Sequence, residues 1–219
     1  MKKKRQKRQK RQKRLVLALC LLAAFAGWTI LVALADLAPI GPNGSTVGLS
    51  TLNGLVRDLV GVRTELYVLT DWLGLAPILT ALGFAVLGLA QWIVRRSLWK
   101  VDRSILVLGA FYAAVMAFYL LFEVVAVNYR PVLINGALEA SYPSSTTLLV
   151  LCVMPTAAMQ LRARLKNRML GRTVVLAVLA FTVFTVLGRL LSGVHWITDI
   201  IGGMLLSAGL VMLYGTFDS

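Results

Sequence analysis

Residues 188–199 read GRLLSGVHWITD, and they lie between two apolar runs, 173–190 and 197–217. An arginine closes the first run, the chain's only histidine follows six residues on, and an aspartate stands four beyond it. If the second run is already helical at that point, His195 and Asp199 are one turn apart and their side chains meet on one face. A carboxylate that holds an imidazole fixes its tautomer and leaves the other ring nitrogen basic, as a nucleophile or general base requires. Arg189 adds a permanent charge in a planar fork suited to a phosphate. The bland alternative is a satisfied histidine at a helix start beside an interfacial arginine. A second arginine and a serine-rich turn, placed by topology, decide against it.

The setting is a membrane. The 219 residues are 58% hydrophobic, with a mean hydropathy of +0.79, too apolar for an ordinary soluble domain. A span needs about 20 apolar residues to cross ~30 Å of hydrocarbon, and six segments qualify: 15–34, 73–94, 104–127, 144–161, 173–190 and 197–217. The expected fold is therefore all-α, a polytopic six-helix membrane bundle. The first span also has the outline of a signal peptide, ending in Ala33-Leu34-Ala35, but its apolar stretch is long for one. A retained anchor is the expectation.

The formal charge of +14 is blocked rather than spread over one face, which argues against a nucleic-acid partner. Ten Lys/Arg fall in the first fourteen residues, four in 95–103 and five in 162–172. With six alternating spans these share one side, and only Arg57, Arg63, Arg130 and Arg189 lie on the other. The positive-inside rule then places both termini in the cytoplasm of a cell membrane protein. The low-complexity tail, 1–14, is expected to be disordered and to suit anionic lipid headgroups. Residues 15–219 form the expected membrane domain, with a motif-bearing core over about 73–217. Cys20 and Cys152 fall inside apolar runs and read as core.

Between the first two spans, Leu52, Leu55, Val56 and Leu59 recur at i, i+3, i+4 and i+7. That spacing predicts a short amphipathic helix on the outer surface.

Three polar clusters reach this same face. The third span ends in Glu123, followed by Asn128-Tyr129-Arg130-Pro131; the fourth opens with SYPSSTT, residues 141–147; the fifth and sixth bring Arg189 and His195. Ionisable groups at a bilayer edge face a bundle interior or a water-filled cavity. Pro143 suits a helix's first turn, so Ser144, Ser145 and Thr146 would offer backbone N–H groups at a helix N-terminus. Beside two arginines, that is a phosphate site. A transporter would instead carry its charges near the midplane, and here even Asp71 sits near the edge.

These residues resemble the motifs of the type-2 phosphatidic acid phosphatases, K-x6-R-P, P-S-G-H and S-R-x5-H-x3-D. Here they read Glu123-x6-Arg130-Pro131, Pro143-Ser144-Ser145-Thr146 and Gly188-Arg189-x5-His195-x3-Asp199, in the same order and spacing. The resemblance implies a membrane lipid phosphatase in which His195 becomes a phosphohistidine, Asp199 orients it, and Arg130, Arg189, Ser144, Ser145 and Thr146 hold the phosphoryl group. It also implies no metal and no other cofactor, and the outer face has no carboxylate or histidine cluster suited to a metal.

Two departures bear on chemistry. Glu123 stands where the family has lysine and is expected to bridge an arginine. Thr146 replaces the histidine that protonates the leaving group, and a hydroxyl's pKa is far too high for that work. A monoester's alkoxide needs such a proton, whereas a diphosphate expels a phosphate monoester that departs unassisted. The resemblance and this substitution together point to a lipid diphosphate, a polyprenyl (undecaprenyl) diphosphate before phosphatidate or phosphatidylglycerophosphate. Glu139 is an alternative acid. A protein that captures a phospholipid headgroup without turnover is the competing class, and Glu123 and Thr146 favour it.

Overall fold

A computed structural model describes residues 2–217. Met1, Asp218 and Ser219, the extreme ends of the expected tail and domain, lie outside the described residues. Among the described residues eight α-helices follow one another: α1 (Lys2–Leu34), α2 (Ser50–Val60), α3 (Thr64–Leu73), α4 (Leu75–Arg95), α5 (Arg103–Val124), α6 (Ser145–Arg164), α7 (Arg168–Leu191) and α8 (Ile197–Phe217). Among the described residues six helical stretches are long and apolar enough to cross a membrane, with α3 and α4 counted as one. The protein is an all-α, multi-pass membrane bundle.

The basic tail is not disordered: it is the first turns of α1. Lys, Arg and Gln are good helix formers, and extending an existing helix avoids the cost of a nucleus. At 33 residues α1 is ~50 Å long, well beyond the hydrocarbon it has to cross. Its tail meets the end of α8, where Arg14 Nη1 donates to the Gly215 carbonyl at 3.2 Å and Arg11 lies over the Phe217 ring. Basic groups at a helix C-terminus are favoured by the partial negative charge of the unpaired carbonyls there.

The bundle buries polar and small residues and turns its aliphatic side chains outward, as lipid solvation allows. Leu79, Val86, Ile93 and Leu176 are exposed, whereas α6 and α8 are the most enclosed spans. The core joins Phe25, Leu108, Phe111, Tyr142, Leu148, Leu206 and Tyr214. Small residues let α8 approach its neighbours: a Cβ on Gly209 would lie 2.8 Å from Leu22 of α1, and one on Gly203 would lie 3.1 Å from Thr147 of α6.

The expected amphipathic helix is α2. Leu52, Leu55 and Leu59 are exposed, while Asn53 on the opposite face is buried and bonded to the Gly48 carbonyl and the Thr198 hydroxyl. α2 is thus held by its polar side and leaves its apolar stripe uncovered. Sequence periodicity missed α3, because Thr64, Glu65, Thr70 and Asp71 interrupt its apolar positions. The first turn of α3 is anchored by Arg63 N–H on the Ser192 carbonyl at 2.9 Å, and the helix packs on α7.

Candidate active site

Four local structures converge at the end of the bundle away from the basic tail. The first is the C-terminus of α7. Arg189 lies in its last turn with its side chain turned inward, 1% exposed. Ser192 closes that helix, its N–H on the Gly188 carbonyl and its hydroxyl on the Arg189 carbonyl. Gly193 follows at φ +70°, where a Cβ would lie 1.9 Å from the Gly61 carbonyl oxygen, so the turn admits glycine alone.

The second is the start of α8. His195 precedes the helix rather than opening it, and Asp199 occupies the first turn. Asp199 Oδ2 accepts the Trp196 N–H at 2.9 Å, the reach-back of a capping box. The carboxylate is therefore placed by helix-capping physics before any chemistry is asked of it.

The third is a loop folded as a short antiparallel pair, in which Tyr129 faces Ala140. Arg130 N–H donates to the Glu139 carbonyl at 3.0 Å and Ser141 N–H to the Asn128 carbonyl at 2.9 Å. Arg130 and Ser141, distant in sequence, thereby enter the site from one platform. The fourth is the start of α6. Ser144 is its N-cap, with Oγ accepting from the Thr147 hydroxyl at 3.0 Å and its own N–H on the Asp199 carbonyl at 3.1 Å. Ser144 is thus largely committed to capping, and its amide is not free as expected. Ser145 and Thr146 hold the next positions, whose amides have no acceptor within the helix.

The imidazole is the meeting point. His195 is buried, and its Nε2 takes Arg189 Nη2 at 3.2 Å and Arg130 Nη1 at 3.4 Å. Guanidinium N–H groups only donate, so Nε2 presents its lone pair and the ring proton is on Nδ1. His195 and Asp199 do share one face, as expected, but their nearest approach is 3.6 Å. Ser141 fills that interval: its hydroxyl is 3.1 Å from Nδ1 and donates in a short bond to Asp199 Oδ2. Burial first, then the Arg130 and Arg189 charges, hold the imidazole well below its ordinary pKa of 6.5. A neutral ring with Nε2 unprotonated is the form a nucleophile needs.

The expected bridge from Glu123 does not form. Glu123 is exposed on the rim of a small crevice shared with Ser141, Tyr142 and Ser145. Other carboxylates flank the arginines: Glu139 pairs with Arg130 at 3.1 Å and Asp71 with Arg189 at 3.4 Å. Glu139, read as an auxiliary acid, is thus an ion-pair partner. Glu123 lies in the last turn of α5 with its side chain exposed, whereas the carboxylates that pair with the two guanidiniums come from the 128–141 loop and α3. Asp71 reaches Arg189 because α3 packs on α7, which the sequence did not reveal. Tyr67, also on α3, spreads its ring beside both guanidiniums, 5.0 Å from that of Arg189 and 6.0 Å from that of Arg130. Asp71, Tyr67 and Ser141 are the site residues that sequence reading missed. The signal available for Ser141 was its place two residues before Pro143.

Residues 123–217 match the model of the PAP2 superfamily. No curated protein sequence matches. Among solved structures, the chain is similar to the first transmembrane PAP2 type phosphatidylglycerolphosphate phosphatase from Bacillus subtilis, with a TM-score of 0.64 and 17% identity. The similarity covers 92% of this chain and 95% of that one, and it extends the shared fold beyond the motif-bearing half.

Proposed function

From a chain that is a member of the PAP2 superfamily over residues 123–217, we propose an integral membrane lipid phosphatase that works through a phosphohistidine on His195. The observation that carries this reading is the convergence of Arg130 and Arg189 on the unprotonated Nε2 of one buried imidazole. A phosphoryl group held between the two forks lies in front of the lone pair that attacks it. In the first step Nε2 forms a bond to phosphorus, the bond to the leaving oxygen breaks, and the leaving group takes the electron pair. In the second step water attacks phosphorus, the P–N bond breaks, its electron pair returns to Nε2, and a proton passes to solvent. Both guanidiniums stabilise charge on the equatorial oxygens throughout.

Thr146 at the second position of α6 supplies a hydroxyl and an amide but no proton donor for an alkoxide. The preferred substrate is therefore a lipid diphosphate of the polyprenyl (undecaprenyl) class, which expels a phosphate monoester. The name of the similar Bacillus subtilis structure favours a second reading, a phosphatidylglycerophosphate-type monoester. A lipid tail is compatible with the apolar cavity of about 640 Å³ between α4 and α5, lined by Pro77, Phe84, Ile105 and Val153. The block distribution of basic residues supports an orientation with the tail, both termini and the anionic headgroups they meet on the cytoplasmic side of the cell membrane, and the site on the outer side. Residues 15–219 act as one catalytic domain.

The test is phosphate release by detergent-purified protein, with EDTA present and His195→Ala as control, given undecaprenyl diphosphate and phosphatidic acid in parallel. Release from the diphosphate, lost in the variant, is the expected result. Equal release from both lipids would overturn the leaving-group argument. No release from either would favour headgroup capture without turnover.

A further inference from the structure

His195 and Asp199 do not complete their pair without a third side chain. The 3.6 Å between Nδ1 and Oδ2 exceeds a hydrogen bond, and the Ser141 hydroxyl contacts both atoms. We propose that Ser141 is a positioning residue of the phosphoryl-transfer site, accepting the His195 Nδ1–H and donating to Asp199 so that Nε2 is held unprotonated. The proposal rests on His195 being the nucleophile, and it adds the residue through which the carboxylate acts on it.

The requirement is specific. The middle group has to accept on one side and donate on the other, and a hydroxyl does both with one atom. The direction of the two bonds follows from the charges around the ring. Arg130 from the loop and Arg189 from α7 donate to Nε2, and Asp199 from α8 is the acceptor at the far end. Glu139 and Asp71 pair with the arginines rather than with the ring. As Nε2 bonds to phosphorus the imidazole becomes cationic, and the Nδ1–H bond strengthens toward a hydroxyl already polarised by the carboxylate.

The hydroxyl is also fixed in place. Ser141 is 3% exposed, and its backbone N–H is held by Asn128. The next residue, Tyr142, is wedged between Phe25 and Phe122, with its phenol on the Thr29 hydroxyl at 2.7 Å. Without the Ser141 hydroxyl, Nδ1–H would lose its side-chain acceptor and the link through it to Asp199, and the ring would be freer to turn or to exchange tautomer.

The chain has a single histidine, so protein labelled with ¹⁵N in its imidazole and purified without a polyhistidine tag reports this ring alone. Expected for the native protein is one tautomer, with Nδ1 protonated and Nε2 not. Ser141→Ala should show mixed tautomers or Nε2–H, with kcat lowered about 10²-fold and KM changed less than about 3-fold. Ser141→Thr, which keeps the hydroxyl, should retain the native tautomer and kcat within about 10-fold. If Ser141→Ala does not fold, Ser141→Cys, similar in size but a poor acceptor, should show the same loss. Native tautomer and native kcat in Ser141→Ala or Ser141→Cys would overturn the proposal. Full activity in His195→Ala would instead overturn the nucleophile reading, and the tautomer comparison would still report on Ser141.

Discussion

Arg189 and Asp71 form an ion pair of unequal partners. The guanidinium is 1% exposed and the carboxylate 59% exposed, with 3.4 Å between Nη1 and Oδ1. The buried charge thus depends on a partner that is half in solvent and can leave. On the proposed reading, an arriving phosphoryl group would compete with Asp71 for the same fork. Asp71→Asn should therefore tighten inhibition by inorganic phosphate about 5-fold, the equivalent of ~1 kcal/mol, the upper end for such a pair. Unchanged inhibition would mean that Asp71 does not compete with the ligand.

Arg130 and Arg189 each reach His195 with one nitrogen and a carboxylate with another, geometry that only a fork provides. Alanine at either position should lower kcat/KM by about 10²-fold or more, from lost charge stabilisation. Arg189→Lys should recover little of that loss. Steady-state kinetics on the diphosphate would check both, and a lysine variant near native rate would show that charge alone suffices.

Thr146 lies on the first turn of α6, against the junction of α3 and α4, where a Cβ on Gly74 would be 3.4 Å from its methyl group. Thr146→His should restore a leaving-group acid and raise phosphatidic acid hydrolysis at least ~10-fold, with a smaller gain on the diphosphate. Parallel gains on both lipids would assign the substitution to binding rather than to proton donation.

Stability should fall in acid because of His195. Its folded-state pKa lies well below 6.5, so in the window beneath 6.5 the unfolded chain binds a proton that the folded chain does not. Stability from this group is fully present above that window and is lost as pH falls through it. His195→Asn does not titrate, so its apparent melting temperature should drop less than that of the native protein between pH 7.5 and ~5.5. Equal drops would mean that the imidazole is not held neutral by its surroundings.

Gly202 is where α8 clears Tyr142. A Cβ there would lie 2.6 to 2.8 Å from the phenol ring, which is fully buried and hemmed in by two phenylalanines. Gly202→Ala should destabilise the protein by ~1–3 kcal/mol and, by shifting Tyr142 and hence Ser141, lower kcat. Gly83→Ala, with open space around it, should do neither. Thermal melts of the two variants side by side would decide.

The spans, the shared side of the basic blocks and the spacing of Arg130, Arg189, His195 and Asp199 are legible in the sequence. Each follows from a local rule: hydrocarbon thickness sets span length, charge sets side, and the helical repeat sets which neighbours meet. The α2 stripe was readable for the same reason. The tail was misread because low complexity suggested disorder, whereas residue propensity and a ready helix end favour continuation of α1.

Only the tertiary structure decided who partners the site residues. Asp71 rather than Glu123 meets an arginine because α3 packs on α7. Ser141 enters between His195 and Asp199 because the 128–141 loop folds back on itself and places it beside a helix start more than fifty residues away. Ser144 turns to capping because α6 begins there. Hydrogen bonds act over about 3 Å, and that distance is set by how elements remote in sequence come to rest against one another. Local pattern could therefore name the imidazole, Asp199 and the two arginines that meet here, but not the Ser141 hydroxyl between the first two or the carboxylates that pair with the arginines.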